Sequence, residues 1–189
     1  YYLKELAVPT ETIEMLTDKL PVVIGSELNT EYYDKPIYNT MFTAKIGVYK
    51  LDVANTERGL SGAVFEVRDT AGKLFDTITT NKDGYAETID LPVGEYKVKE
   101  VTPPAGFILS DEVKTVTLTT EDKETAVFEM TNKANSVKIR KLDSHTKLPL
   151  ANATIKVTDA SGKVYYEGIT GADGYITMKE IPAGKYTWQ

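Results

Sequence analysis

The sequence predicts an all-β protein built from tandem antiparallel β-sandwiches. Short segments alternate apolar and polar residues with a period of two, as in Ala126–Asn132. Turns of the Asp-x-x-Gly and Asp-Gly type separate such segments at intervals of roughly 8–12 residues. Only Thr10–Leu20 has some helical spacing, and we expect a loop with about one helical turn there.

An internal repeat divides the chain. Leu60–Val67 (LSGAVFEV) recurs 90 residues later as Leu150–Val157 (LANATIKV), and Leu91–Tyr96 (LPVGEY) recurs at the same offset as IPAGKY. The segment Tyr1–Glu5 matches Tyr96–Glu100. We therefore predict the C-terminal part of a first repeat at 1–42, a complete second repeat at 43–134 and the N-terminal part of a third repeat at 135–189.

Composition excludes several classes of function. The net charge is −6 and no Lys/Arg cluster is present, which argues against nucleic acid and anionic membranes as partners. No run of residues resembles a membrane span or a signal peptide, so we expect no membrane insertion. The absence of cysteine excludes disulfides and fits a cytosolic protein, or an extracellular one stabilised by other means.

Metal and cofactor chemistry is not indicated either. The single histidine, His145, cannot support a catalytic triad. The Asp-Gly turns at Asp83 and Asp173 lack the alternating acidic ligands of calcium loops and are typical of hairpins. We expect no cofactor and no metal.

Three polar residues of the second repeat fall on apolar strand faces. Lys50 shares a face with Ile46 and Val48 in the first strand. Two others follow the same pattern, namely Glu100 with Tyr96 and Val98, and Asn132 with Phe128 and Met130. Each has an ordinary explanation alone: the lysine can snorkel, the glutamate can pair with it, and the asparagine can begin a turn. Their coincidence in one repeat favours a linked device.

The chemistry of these residue types suggests what the device does. A desolvated lysine becomes a neutral, nucleophilic amine. A desolvated carboxyl group can stay protonated and move protons, and a side-chain amide is an electrophile with ammonia as leaving group. We predict that Lys50 attacks the amide of Asn132, with Glu100 polarising the carbonyl and shuttling protons. The isopeptide bond forms once, so the protein is not a turnover enzyme.

The flanking repeats carry parts of the same set. The first repeat offers Glu5 and Asn39, the latter on a predicted face with Ile37 and Met41, and the third repeat offers Lys141. In the simpler interpretation the chain is a window on a longer array. In the alternative, residues 135–189 of one chain dock on residues 1–42 of the next, and Lys141 meets Asn39 with Glu5 as proton shuttle.

The motifs KLD at Lys50–Asp52, YKVKEVTPPAGF at Tyr96–Phe107 and FEMTNK at Phe128–Lys133 resemble the Cna-B or SpaA-type domains of Gram-positive adhesins and pilins. YYLKELAVP at the start of the chain resembles the glutamate motif but lacks its Gly-aromatic ending. The resemblance implies Ig-like or prealbumin-like β-sandwiches and gives Lys50, Glu100 and Asn132 the family's isopeptide roles.

The same resemblance implies a function and a location. It implies a structural stalk or shaft module on the cell surface or cell wall of a Gram-positive bacterium, with neighbouring repeats or subunits as partners. The alternative is an adhesin module that binds a host matrix protein or glycan. The chain shows no LPxTG-like sorting signal and no pilin-type lysine motif.

Overall fold

The structure is a computed structural model that describes residues 2–5, 20–21, 38–122 and 124–189. The described residues form strands and turns and contain no helix, as an all-β protein requires. In the first repeat, β1 (Tyr2–Leu3) pairs with β2 (Leu20–Pro21) in antiparallel fashion. The predicted helical turn lies outside the described residues, apart from Leu20.

The second repeat folds as a sandwich of two sheets. Its strands are β3 (Thr43–Ala44), β4 (Ile46–Asp52), β5 (Asn55–Gly59), β6 (Val64–Asp69), β7 (Leu74–Thr79), β8 (Tyr85–Glu87), β9 (Leu91–Pro92), β10 (Gly94–Thr102), β11 (Val113–Leu118) and β12 (Ala126–Asn132). One sheet has the order β11-β10-β6-β7, and the other has the order β12-β4-β5 with β8 also paired to β4. The short strands β3 and β9 form a separate pair.

The core of the second repeat lies between these sheets. In β10, Tyr96 and Val98 are buried while Glu95 and Lys97 are exposed, so the predicted alternation is confirmed. Ile46, Phe65 and other apolar residues of both sheets join them in one hydrophobic cluster. Because side chains alternate along a strand, the inward face of each sheet is set by its sequence period.

One strand pair departs from the antiparallel pattern. β12, the last strand of the repeat, lies beside β4, the first long strand, and runs parallel to it. Met130 is the register partner of Lys50, and Asn132 is the partner of Asp52. The entry and exit strands of the repeat are therefore direct neighbours at the same end of one sheet.

The third repeat forms an incomplete version of the sandwich. Its strands are β13 (Ser136–Arg140), β14 (Thr154–Asp159), β15 (Val164–Ile169), β16 (Tyr175–Lys179) and β17 (Tyr186–Trp188). β13 pairs with β16, while β14 lies between β15 and β17. An open groove of about 290 Å³ follows its apolar side, lined by Val137, Ile139, Val157, Met178, Ile181, Tyr186 and Trp188.

Two expectations for the partial repeats differ from the structure. Lys141 follows β13 and is exposed, because the third repeat has only the start of a β10 counterpart, β17, and no described counterpart of β12 to cover it. Residues 38–40 form no strand, and Asn39 and Met41 are exposed rather than inward-facing. Ile37 lies outside the described residues. In the described part of the chain, no helix is both long enough and apolar enough to cross a lipid bilayer.

Candidate functional site

Lys50 is held in place by its own backbone. Its N–H donates to the carbonyl oxygen of Gly84 at 2.7 Å, and its carbonyl oxygen accepts from Leu60 N at 2.7 Å. Gly84 has a φ of +78°, and a Cβ there would lie 2.5 Å from the Lys50 carbonyl oxygen. The Asp-Gly turn therefore has to end in glycine to let this loop pack on β4, which directs the lysine side chain inward. That side chain is fully buried.

Glu100 enters the same space from the opposite sheet. It is fully buried near the end of β10, where the pairing with β6 shifts register between Glu100 and Thr102. Its Oε2 accepts a hydrogen bond of 2.7 Å from the backbone N–H of Ser110. This donor fixes one carboxyl oxygen and leaves Oε1 facing the lysine.

Asn132 closes the site at the end of β12. It is 2% exposed, and its Nδ2 donates to Oε1 and Oε2 of Glu100 at 2.8 and 3.0 Å. The parallel pairing of β12 with β4 brings the asparagine and the lysine to the same end of the sheet. The structure thus brings all three residues of the predicted device together.

The lysine nitrogen lies between polar and aromatic neighbours. Lys50 Nζ is 3.4 Å from Glu100 Oε1 and donates to the carbonyl oxygen of Thr131 at 3.3 Å. It also lies 5.5 Å from the centre of the Phe65 ring. Burial lowers the pKa of Lys50, and the negative charge of Glu100 opposes that effect only in part. The site therefore favours the neutral amine more than water does.

The amide of Asn132 has one unsatisfied atom. Its Oδ1 is buried and has no hydrogen-bond partner among the described residues. In this orientation Glu100 faces the amide nitrogen, whereas the sequence led us to expect Glu100 at the carbonyl. Rotating the amide by half a turn would exchange the two atoms. As oriented, Glu100 Oε1 contacts both the lysine nitrogen and the amide nitrogen, which is the geometry for passing a proton between them.

The sequence matches the model of a known domain family. The SpaA prealbumin-like fold domain matches residues 44–134 and again residues 135–189. The chain belongs to this family. The resemblance to this family that the KLD, glutamate and asparagine motifs indicated is confirmed at the level of the SpaA fold.

The chain is similar to parts of a streptococcal and a staphylococcal protein. The Trypsin-resistant surface T6 protein of Streptococcus pyogenes serotype M6 is 40% identical over 77 residues, which is 41% of this chain and 14% of that protein. Serine-aspartate repeat-containing protein D of Staphylococcus aureus strain Newman is 33% identical over 94 residues, which is 50% of this chain and 7% of that protein. The chain thus spans only a small part of each relative.

A solved structure shares the fold along the whole chain. The Bacillus anthracis TIE protein aligns with a TM-score of 0.63 and 24% identity, covering 100% of this chain and 35% of that one. At this identity the likeness concerns the fold alone. The strand arrangement described above therefore occurs in another protein.

The two flanking repeats, of which only the third lies within the SpaA match, place their corresponding residues differently. In the first repeat, Asn39 Nδ2 donates to Glu5 Oε2 at 2.7 Å, which repeats the contact between Asn132 and Glu100 on an exposed surface. In the third repeat, the Lys141 backbone repeats the cradle of Lys50, with bonds to Gly174 O and Leu150 N of 2.8 and 3.0 Å. Within the described residues, no carboxylate or amide group contacts the Lys141 side-chain nitrogen.

Three contributors to the site were missed by sequence reasoning. Phe65 could have been found from the apolar alternation of β6, which puts it opposite Lys50. The N–H of Ser110 and the carbonyl of Thr131 are backbone groups, and no residue type in the sequence marks them. Backbone donors and acceptors become part of a site only through the fold.

Proposed function

We propose that the chain is part of a stalk or shaft of a Gram-positive surface protein or pilus, and that its second repeat is locked by a Lys50–Asn132 isopeptide bond. The observation that supports the bond is the contact among three buried polar side chains. Lys50 lies at ion-pair distance from Glu100, and Asn132 donates a hydrogen bond to the same carboxyl group. Burying such groups is costly, and a covalent product that removes the charges explains their presence.

The reaction follows from the contacts. Lys50 Nζ passes a proton to Glu100 Oε1, which lies 3.4 Å away, and becomes a neutral amine. The amine attacks Cγ of Asn132, forming the new N–C bond. Glu100 delivers a proton to Nδ2, and the Cγ–Nδ2 bond breaks to release ammonia. Of the two protons that the ammonium gives up, one leaves on ammonia and the other stays on Glu100 or passes to solvent.

The leaving group has a route to solvent. A shallow groove of about 270 Å³ lies beside Asn132, lined by Val53, Ile108, Leu109, Ser110, Thr131, Asn132 and Lys133. Ammonia released at Asn132 would escape through it. The carboxyl group of Glu100 remains buried and keeps its hydrogen bond from the N–H of Ser110. It therefore still occupies the site after the bond has formed. The chain consumes its own side chains and performs a single turnover.

Intact-mass measurement of the purified chain tests the bond. We expect the measured mass of the wild-type chain to lie below the mass calculated from its sequence by one ammonia, which the closed second repeat has lost. Lys50→Ala and Glu100→Ala should show the full sequence mass, because each lacks the nucleophile or the proton carrier. Glu95→Gln is the matched control, since Glu95 lies on the exposed face of the same strand and should leave the ammonia loss intact. A folded wild-type chain of unmodified mass would refute the proposal.

The surface location rests on the relatives. The streptococcal relative is named a surface protein, and the chain is 40% identical to it over 77 residues. An extracellular stalk without cysteine needs another covalent brace, and the isopeptide bond would supply it. In such a stalk the partners are the neighbouring repeats and subunits of the same protein.

A further inference from the structure

The boundary between the second and third repeats carries a two-pronged ion pair. Arg58, near the end of β5, donates from Nη1 and Nη2 to the two carboxylate oxygens of Glu180 at 2.6 and 2.8 Å. The same guanidinium reaches Asp52 at 3.3 Å and lies 5.6 Å from the ring centre of Phe107. The bond from Arg58 lowers the pKa of Glu180. A planar, paired contact of this kind fixes direction as well as distance.

The backbones of the two repeats also meet closely. A Cβ on Gly106 would lie 2.5 Å from the carbonyl oxygen of Glu180, so no other residue fits at position 106 without a shift. Gly106 has a φ of +88° and Glu180 has a φ of +56°. Glycine adopts the left-handed region freely, whereas a glutamate there is strained and is held by its surroundings.

Asn135, the first residue of the third repeat, joins the two backbones. Its N–H donates to the carbonyl oxygen of Gly106 at 2.9 Å, and its carbonyl oxygen accepts from Glu180 N at 3.0 Å. Its side chain imitates a strand, because Oδ1 accepts from Ile181 N at 2.7 Å and Nδ2 donates to Ile181 O. Asn135 is thus bonded both to the second repeat and to the Glu180 turn of its own repeat.

We propose that Arg58, Gly106 and Phe107 form a seat for the Glu180 turn of the following repeat, and that this seat fixes the angle between the second and third repeats. The two repeats then move as one rigid body. Interfaces between domains of one chain are often small and polar, and such interfaces ordinarily permit relative motion. Here the paired ion contact, the close backbone approach and the backbone bonds of Asn135 together oppose that motion.

The seat is specific for one residue of the following repeat. By the repeat offset of 90 residues, Asp90 of the second repeat stands at the position of Glu180. The aspartate side chain is one methylene shorter, so it would not make the same two-pronged contact with Arg58 without a shift. The seat on the second repeat therefore favours a following repeat that carries glutamate at this position.

Distance measurements between two spin labels test the seat. The chain has no cysteine, so Thr117→Cys and Ala160→Cys, both exposed, would carry the only labels, one on each repeat. The labelled background should give one narrow distance distribution. Gly106→Ala should broaden it, because the methyl group displaces Glu180. Gly72→Ala is the matched control, since Gly72 has the same φ of +88° but nothing within 4 Å of an added Cβ.

The ion pair is tested in the same way. Glu180→Gln should broaden the distribution, whereas Glu66→Gln, which breaks an ion pair of similar exposure inside the second repeat, should not. Fluorescence of Trp188, the single tryptophan, reports whether the third repeat stays folded. Unfolding of that repeat in Gly106→Ala but not in Gly72→Ala would also support the seat. A broad distribution in the labelled background, or a narrow one in Gly106→Ala, would overturn the proposal. Neither result depends on whether the Lys50–Asn132 bond forms.

Discussion

At the scale of single residues, Lys50 and Glu100 form a pair whose chemistry depends on how many protons it holds. The productive state has a neutral amine for attack and one proton available for the leaving nitrogen. That state and the ammonium–carboxylate state contain the same number of protons, so they interconvert without exchange with solvent.

We therefore expect the rate of bond formation to be bell-shaped in pH. A second proton on the pair fixes Lys50 as an ammonium and stops the attack. Loss of the last proton leaves nothing to expel ammonia. Because burial lowers the pKa of Lys50, the basic limb should fall below the ordinary lysine value of 10.5. Timed intact-mass measurement after refolding at a series of pH values would give the profile, and a rate still rising through pH 10.5 would contradict the argument.

The sequence predicted these side chains because inward polar residues stand out against a period of two. Lys50, Glu100 and Asn132 each occupy an apolar register, and the structure buries all three. The period-two pattern does not predict the orientation of the Asn132 amide or the hydrogen bond that the backbone N–H of Ser110 donates to Glu100. Both depend on how loops and strand ends meet in space, which alternation along one strand does not encode.

At the scale of elements, the parallel pair of β4 and β12 determines what a cross-link would do. These strands are the first long strand and the last strand of the repeat, and they pair from Ala126 with Ile46 to Asn132 with Asp52. A bond from Lys50 to Asn132 joins positions 82 residues apart in sequence. Tension entering at β4 and leaving at β12 would pass through the bond and bypass the remaining strands.

A Glu100→Gln variant should fold and stay open, since glutamine keeps the volume of the buried side chain. Treated like a disulfide that closes a loop of this length, the bond contributes about 4–5 kcal/mol by restricting the unfolded chain. For a domain of this size the open variant should therefore melt roughly 15 °C or more below the wild type. Calorimetry would measure the difference, with Glu95→Gln as the exposed control. Equal melting temperatures for the wild type and Glu100→Gln would count against a stabilising bond.

The strands were more predictable than their partners. Alternation predicted a strand at Ala126–Asn132, and β12 has these bounds. It also predicted which residues of β10 share the buried face. The parallel contact between β4 and β12 was not predicted. Period-two patterns state which residues share a face, but they carry no information on which strand lies alongside.

At the scale of the whole molecule, the two partial repeats hold complementary pieces of the site. The Glu5–Asn39 hydrogen bond presents the acid and the amide, and the Lys141 backbone cradle presents the lysine. The apolar groove of the third repeat includes Val137 and Trp188, which are 45% and 62% exposed. In the second repeat, β11 and β12 contribute Leu118 and Met130 to the cluster that covers the corresponding face. In a longer array, other repeats of the same chain would supply these strands.

In the alternative arrangement, a second copy of the 189-residue chain supplies the missing strands, and that alternative predicts covalent oligomers. Residues 135–189 of one copy would dock on residues 1–42 of the next, so that Lys141 attacks Asn39 with Glu5 carrying the proton. Such a head-to-tail contact joins different surfaces and does not close on itself, so it extends into a filament. Burial of the apolar groove would drive the docking.

Denaturing electrophoresis at increasing protein concentration would detect this reaction as a ladder of bands. Lys141→Ala and Asn39→Ala should each abolish the ladder, because one removes the nucleophile and the other the electrophile. Lys138→Ala is the matched control: Lys138 is exposed on the same strand, with its nitrogen 4.0 Å from the Tyr175 ring centre, and its loss should leave the ladder intact. A single monomer band at every concentration would show that the two halves do not complete each other between chains. The Lys50–Asn132 bond within the second repeat would be unaffected by that result, since its three residues belong to one chain.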